Sequence, residues 1–311
     1  MTTPPARSTE PASTGAEGMT DFGRSPMTPF DWLLLATAGG VWGSSFLFMD
    51  VALRAEHPGL VAWLRPALGL CFLVCLPSAR RPVDRADRPV LGLLGLLWMA
   101  IPLSLFPLAQ TWIDSSIAGM LNSAMPVATL AVGSLFFGVS THRVQVAGVV
   151  IGILGIVMVG LPSASVEDTA ALGVLLVVAA IVCYGLSVNI AGPLQRRYGS
   201  TAVLLRVLAV ATVATTPWGV VGLVDSNFAW SAVWANLAVG FGGTGVAYVA
   251  AATLVGRIGP VRMSAVTYLI PVVAAVLGVA LLGERLGGLE IGGLVVLLFG
   301  AWMTTRSPTR D

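Results

Sequence analysis

Residues 126–158, PVATLAVGSLFFGVSTHRVQVAGVVIGILGIVM, and residues 271–303, PVVAAVLGVALLGERLGGLEIGGLVVLLFGAWM, read as two versions of one segment. At a constant shift of 145 residues, Pro126 falls on Pro271, Val127 on Val272, Gly133 on Gly278 and Gly138 on Gly283. The same shift sets Gly148 on Gly293, Val150 on Val295, Gly155 on Gly300 and Met158 on Met303, with no gap. Upstream, Leu64-Arg65 matches Leu205-Arg206 at a shift of 141. An internal repeat in an apolar chain points to a two-fold scaffold with a site between the halves. Transporters have that layout more often than enzymes.

Composition says where the repeat resides. The 311 residues are 56% hydrophobic and only 10% charged, with a mean hydropathy of +0.87. Soluble domains carry about 25% charged residues, so most of this chain must face lipid or other spans. The net charge of +2 offers no basic stripe for nucleic acid. Cys71, Cys75 and Cys183 sit in apolar runs and read as buried small apolar residues. The two histidines, His57 and His142, fall in loops, which argues against a His-based metal site in the membrane. No cofactor motif is present. Residues 1–29 are rich in Pro, Ser, Thr, Ala and Glu and lack the apolar core of a signal peptide, so they read as a disordered cytoplasmic tail.

A helix needs about 20 apolar residues to cross a bilayer. Ten runs are predicted, at 32–53, 59–77, 90–110, 116–139, 145–161, 171–192, 202–224, 231–254, 262–282 and 287–303. All 17 basic residues are Arg. With a cytoplasmic N-terminus, 13 of them fall on inside segments and only Arg54 and Arg285 fall outside, as the positive-inside rule requires. Arg65 and Arg206 lie within spans. Residues 30–161 and 171–303 then form two five-helix repeats, followed by a short cytoplasmic tail at 304–311. Five is odd, so the copies insert in opposite directions, an inverted repeat that can exchange conformations around a central cavity. The expected fold is an all-α integral membrane protein of ten transmembrane helices, multi-pass in the plasma (inner) membrane, with both termini cytoplasmic. Gly39-x-x-x-Gly43, Gly148-x-x-x-Gly152 and Gly288-x-x-x-Gly292 offer close-packing faces. The sequence leaves open whether these faces pack within one chain or form a homodimer; the expected partners are a small organic metabolite and membrane lipid.

Several stretches resemble a known family. Trp42-Gly43-Ser44-Ser45-Phe46, Trp63-Leu64-Arg65, the stretch from Ser115 to Gly138 and the stretch from Ser264 to Gly292 are similar to EamA-type members of the drug/metabolite transporter superfamily. The resemblance covers about residues 32–303. It implies a ten-helix exporter or exchanger of small organic metabolites, with a cavity lined by both halves. One departure is clear. The family often ends the fourth span in Gly-Glu, whereas here Gly138-Val139 stands in that place and only Gly283-Glu284 keeps the carboxylate.

The candidate binding residues are polar or aromatic groups within spans: Trp42, Ser45, Arg65, Asn122, Tyr184, Asn189, Tyr248, Thr267 and Tyr268. An aromatic ring with one polar tip suits a site that binds an organic solute and releases it. Arg65 is the sharpest candidate, because a guanidinium inside a span is costly and often functional. It could attract a substrate carboxylate, snorkel to the interface, or pair with Asp50. Arg206, nearer its helix end, reads as snorkelling. Pro126 and Pro271 read as paired kinks or hinges. Glu284 reads as a gate or as a helix-end ion pair. No carboxylate sits at mid-span, so proton coupling finds no central carrier.

Three classes compete. A secondary transporter working by alternating access fits best. An intramembrane lipid-modifying enzyme needs a nucleophile and base or metal ligands in the spans, and no Gly-x-Ser-x-Gly or His-Glu-x-x-His motif occurs. A channel or scaffold fits poorly with ten dissimilar helices and no ring of like charge.

Overall fold

The computed structural model describes residues 26–164 and 168–306, and every regular element among them is helical. Most of the expected N-terminal tail, and residues 307–311 of the C-terminal one, lie outside the described residues. Helix α1 (Pro29–Leu53) opens with Pro29 at its first turn and a reciprocal cap between Thr28 and Asp31. Arg257 donates to Asp31 at 2.5 Å and lies 5.1 Å from the Phe30 ring centre, tying that end of α1 to a distant helix. Helix α2 spans Pro58–Val74. Helices α3 (Arg88–Leu94) and α4 (Ile101–Ala109) are joined without a break by a π-helical segment, Gly95–Ala100.

Helices α5 (Ser115–Asn122) and α6 (Met125–Phe136) form a bent pair, 43° apart. Helix α7 (Arg143–Ala164) is followed by α8 (Asp168–Tyr198) and α9 (Ser200–Val224). Next come α10 (Trp230–Leu237), a second π-helical segment at Ala238–Val246, and α11 (Ala247–Met263). Helix α12 (Val266–Leu277) runs into a third, Gly278–Leu282, and α13 (Gly288–Thr304) closes the order.

Among the described residues six stretches are long and apolar enough to cross a membrane, and the α5–α6 pair makes up to seven. Three shorter apolar helices, Pro58–Val74, Val266–Leu282 and Gly288–Thr304, lie between or after them. Large apolar side chains also point outward, such as Val150, Ile153, Leu154 and Val157 on α7. In water that would be an aggregating surface. In a bilayer it is the expected lipid face. The chain is a multi-pass membrane protein.

Glycines set the tightest contacts. A Cβ on Gly155 would lie 2.5 Å from the Leu297 backbone nitrogen, and one on Gly300 would lie 2.4 Å from that of Gly152. The partners are reciprocal: Gly148 faces Met303, and Gly293 faces Met158. As residue numbers rise along α7 they fall along α13, so the two helices are antiparallel. Gly39 and Gly43 seat α1 against Leu269 and Val273 of α12. The Gly148 and Gly39 faces therefore pack within the chain. The Gly288-x-x-x-Gly292 face does not do so closely: a Cβ on Gly288 meets nothing within 4 Å, and it is Gly293 that packs. Gly138 and Gly283, matched by the repeat, end the helical stretches before them with φ of 65° and 73°. Glycine takes this left-handed conformation without steric penalty.

Two expectations need correction here. Cys71 and Cys75 are exposed rather than buried, because their face of α2 turns away from the neighbouring helices, and Cys183 is half-buried. The paired prolines are not placed alike. Pro126 sits at the start of α6, right after the bend, while Pro271 lies inside the continuous helix α12.

Candidate functional site

Helices from both halves surround a cavity of about 340 Å³, within the range of roughly 300–1,000 Å³ typical of small-molecule sites. Six of the nine sequence candidates line it: Trp42, Arg65, Asn122, Tyr184, Tyr248 and Thr267. The other three do not. Ser45 is buried, and its hydroxyl donates to the Val41 carbonyl at 2.8 Å. Asn189 donates to the carbonyls of Thr129 and Gly185, bracing α8 against α6. Tyr268 faces a separate depression with Trp32 and Trp302, its hydroxyl 3.3 Å from that of Thr305. In each, the polar tip has a partner on its own helix or a neighbouring element.

The cavity walls are aromatic. Trp42 packs edge-on to Tyr248 at 5.1 Å, and its indole N–H donates to the Gly243 carbonyl at 2.9 Å. That carbonyl belongs to the π-helical segment after α10, a departure from α-geometry that is frequent at functional sites. Trp98 meets the other side of Tyr248 at 6.1 Å, and Phe106 stacks on Tyr184 at 6.1 Å. Phe46, Trp98 and Phe106 were missing from the sequence candidates although each lies within an apolar run. Gln195, Ser200 and Thr201 also line the cavity, so it reaches the turn between α8 and α9.

Arg65 is buried, 8% exposed, in this wall. Its Nε lies 3.4 Å from the Thr244 hydroxyl, at the edge of hydrogen-bond range, and one terminal nitrogen lies 3.4 Å from Met49 Sδ, a weak acceptor. Asp50 is not its partner: Asp50 pairs with Arg54 at 2.9 Å, one turn along α1. Arg206, its repeat equivalent, is well satisfied. It donates to the carbonyls of Ala79, Arg81 and Ala202, holding the turn after α2 from a part-exposed position. Glu284 makes no helix-end ion pair among the described residues. Its two carboxylate oxygens accept the backbone N–H groups of Ser115 (2.8 Å) and Ser116 (3.0 Å). It therefore caps α5 from across the molecule, at the helix end where negative charge is favoured.

The model of the EamA-like transporter family matches residues 31–161 and again 171–306. The chain belongs to that family, one of transporters rather than enzymes. It is 25% identical over 293 residues to the probable amino-acid metabolite efflux pump of Escherichia coli strain K12, covering 89% of this chain and 95% of that one. It is 26% identical over 275 residues to the inner membrane transporter YedA of the same strain, covering 85% and 87%. The probable terminal-alkyne amino-acid exporter of Streptantibioticus cattleyicolor is 25% identical over 281 residues, covering 88% and 93%. A solved crystal structure matches with a TM-score of 0.59 at 19% identity, over 88% of this chain and 95% of that one, which speaks to the fold.

Proposed function

We propose that the protein exports or exchanges a small organic metabolite by alternating access. Ten transmembrane helices act as two inverted repeats, residues 30–161 and 171–303, with both termini in the cytoplasm of the cell whose inner membrane holds it. The single observation that carries this reading is the aromatic cavity between the halves, which reaches one end of the bundle while Glu284 staples α5 near the other. By the Arg distribution, the reached end is cytoplasmic. The reciprocal Gly148–Met303 and Gly293–Met158 contacts support a two-fold relation, since each pair maps onto the other at the shift of 145. The exporter and efflux names of the relatives support the outward direction and the small-metabolite class.

The cycle follows from these parts. Substrate enters from the cytoplasm and replaces cavity water with ring contacts. The halves then exchange tilt, closing the α8–α9 end and releasing the Glu284 cap at the other. The test is flux in proteoliposomes. Efflux should saturate with substrate and proceed without ATP. Trp42→Ala should lower it at least about tenfold, through loss of an aromatic contact and the Gly243 hydrogen bond, with insertion unchanged. Unsaturable flux, or full activity in Trp42→Ala, would remove the cavity from the mechanism.

A further inference from the structure

The cavity has a fixed cation and no fixed anion. Among its described lining residues Arg65 is the single charged side chain. Arginine keeps its proton at any working pH. No acid pairs with it among the described residues, and its two contacts are a hydroxyl and a thioether at 3.4 Å. Tyr184 and Tyr248 line the same cavity as Arg65. Their phenolic O–H groups add two neutral donors to the same wall. A second observation is independent of Arg65. The Asn122 side-chain oxygen is buried and has no hydrogen-bond partner. Two further polar groups of the wall are already engaged, the Trp42 N–H on the Gly243 carbonyl and the Thr267 hydroxyl on the Ser264 carbonyl at 2.5 Å, while Gln195, Ser200 and Thr201 lie toward the α8–α9 end.

Buried charge left unpaired is costly, and a ligand that supplies the missing partner is selected for. We infer that the substrate is a net monoanion: a carboxylate on an apolar or aromatic body, with a neutral O–H or N–H donor near the carboxylate. The carboxylate takes Arg65 and the two phenols, the body fills the ring-lined space, and the neutral donor reaches Asn122. A 2-hydroxy acid or an N-acyl amino acid satisfies all three. A zwitterionic amino acid does not, because its ammonium group would enter a wall that already holds one positive charge and no negative one. This inference rests on the cavity being the transport site.

The decisive comparison uses two solutes of one skeleton, 3-phenyllactate and phenylalanine, which differ at hydroxyl against ammonium. Binding to the purified full chain is read by isothermal titration calorimetry, and flux is read separately in proteoliposomes. 3-Phenyllactate should bind at least about tenfold more tightly. Arg65→Gln should erase the difference. Asn122→Asp, which supplies the missing anion, should shift preference toward phenylalanine, and it keeps the inference testable where Arg65→Gln folds poorly. Equal or tighter binding of phenylalanine by the unmodified protein, or binding of neither solute, would overturn the inference. Arg65-dependent binding of 3-phenyllactate without flux would uphold the site chemistry and sink the transport reading instead. Flux of phenylalanine in preference to 3-phenyllactate would do the reverse.

Discussion

Glu56, in the turn between α1 and α2, shows how single residues respond to burial here. Removal from water pushes its carboxyl above the usual 4.5, and the hydrogen bond from Asn236, 2.6 Å to Oε2, only partly offsets this. A raised carboxyl favours the protonated form in the fold. The stability it contributes is therefore fully present below pH 4.5 and is lost as pH rises through the folded value. Glu56→Gln stays neutral and keeps an acceptor for Asn236. Its Tm should exceed that of the unmodified protein at pH 7, and the gap should close below about pH 4.5. Thermal unfolding across pH reads this directly. Glu284 shows the limit of reading residues in a row. The repeat singles it out because Val139 stands at the matching place, but its partners Ser115 and Ser116 lie 169 and 168 residues away. Asp114 occupies the N-cap position of α5, but its side chain makes no cap bond. Arg65 was legible as an expensive residue, whereas the emptiness around it depends on where Asp50 turns, which only packing decides.

At the scale of elements, the small-residue spacing on α7 indicates close approach but not the partner. The structure assigns α13, with backbone-to-backbone distances that exclude any side chain. Gly155→Leu should destabilise the protein by about 1–3 kcal/mol through overpacking, read as a lower Tm in detergent. Gly288→Ala should be neutral, since its Cβ would meet nothing within 4 Å. A Tm unchanged in Gly155→Leu would mean that α7 and α13 can part at little cost. The π-helical segments were not legible. Gly95–Ala100 reads like any buried apolar helix, and the four glycines of Ala238–Val246 mark a weak helix without specifying its register. Gly95 and Gly240 nevertheless match at the repeat shift, and each admits a helix from the other half: Val210 of α9 lies 2.5 Å from a Cβ on Gly95, and Leu68 of α2 lies 2.7 Å from one on Gly240. The π register thus falls where the two halves press together.

At the scale of the whole molecule, the repeat was the most legible feature, since glycines and prolines at a fixed shift survive where side chains diverge. The cavity was legible in part. Trp42, Tyr184 and Tyr248 declare themselves as polar-tipped rings inside apolar runs, but Phe46, Trp98 and Phe106 look like any lipid-facing aromatic until the bundle closes around them. Symmetry also isolates what is unpaired. Of the two matched arginines, Arg206 spends its charge on the turn after α2, and Arg65 keeps its charge free in the cavity wall. Under the monoanion reading, the loaded site is neutral and the empty site is positive, so the step that moves charge across the membrane is the return of the empty carrier. A voltage negative inside draws that empty positive site back toward the cytoplasm, with up to about 2.3 kcal/mol per charge per 100 mV available if it crossed the whole field. Net efflux from proteoliposomes should then speed up when a potassium diffusion potential makes the cytoplasmic face negative. Exchange, in which the site never crosses empty, should ignore the same voltage. One unpartnered guanidinium would thus let the resting potential of the cell reset an exporter that has no proton carrier at mid-membrane.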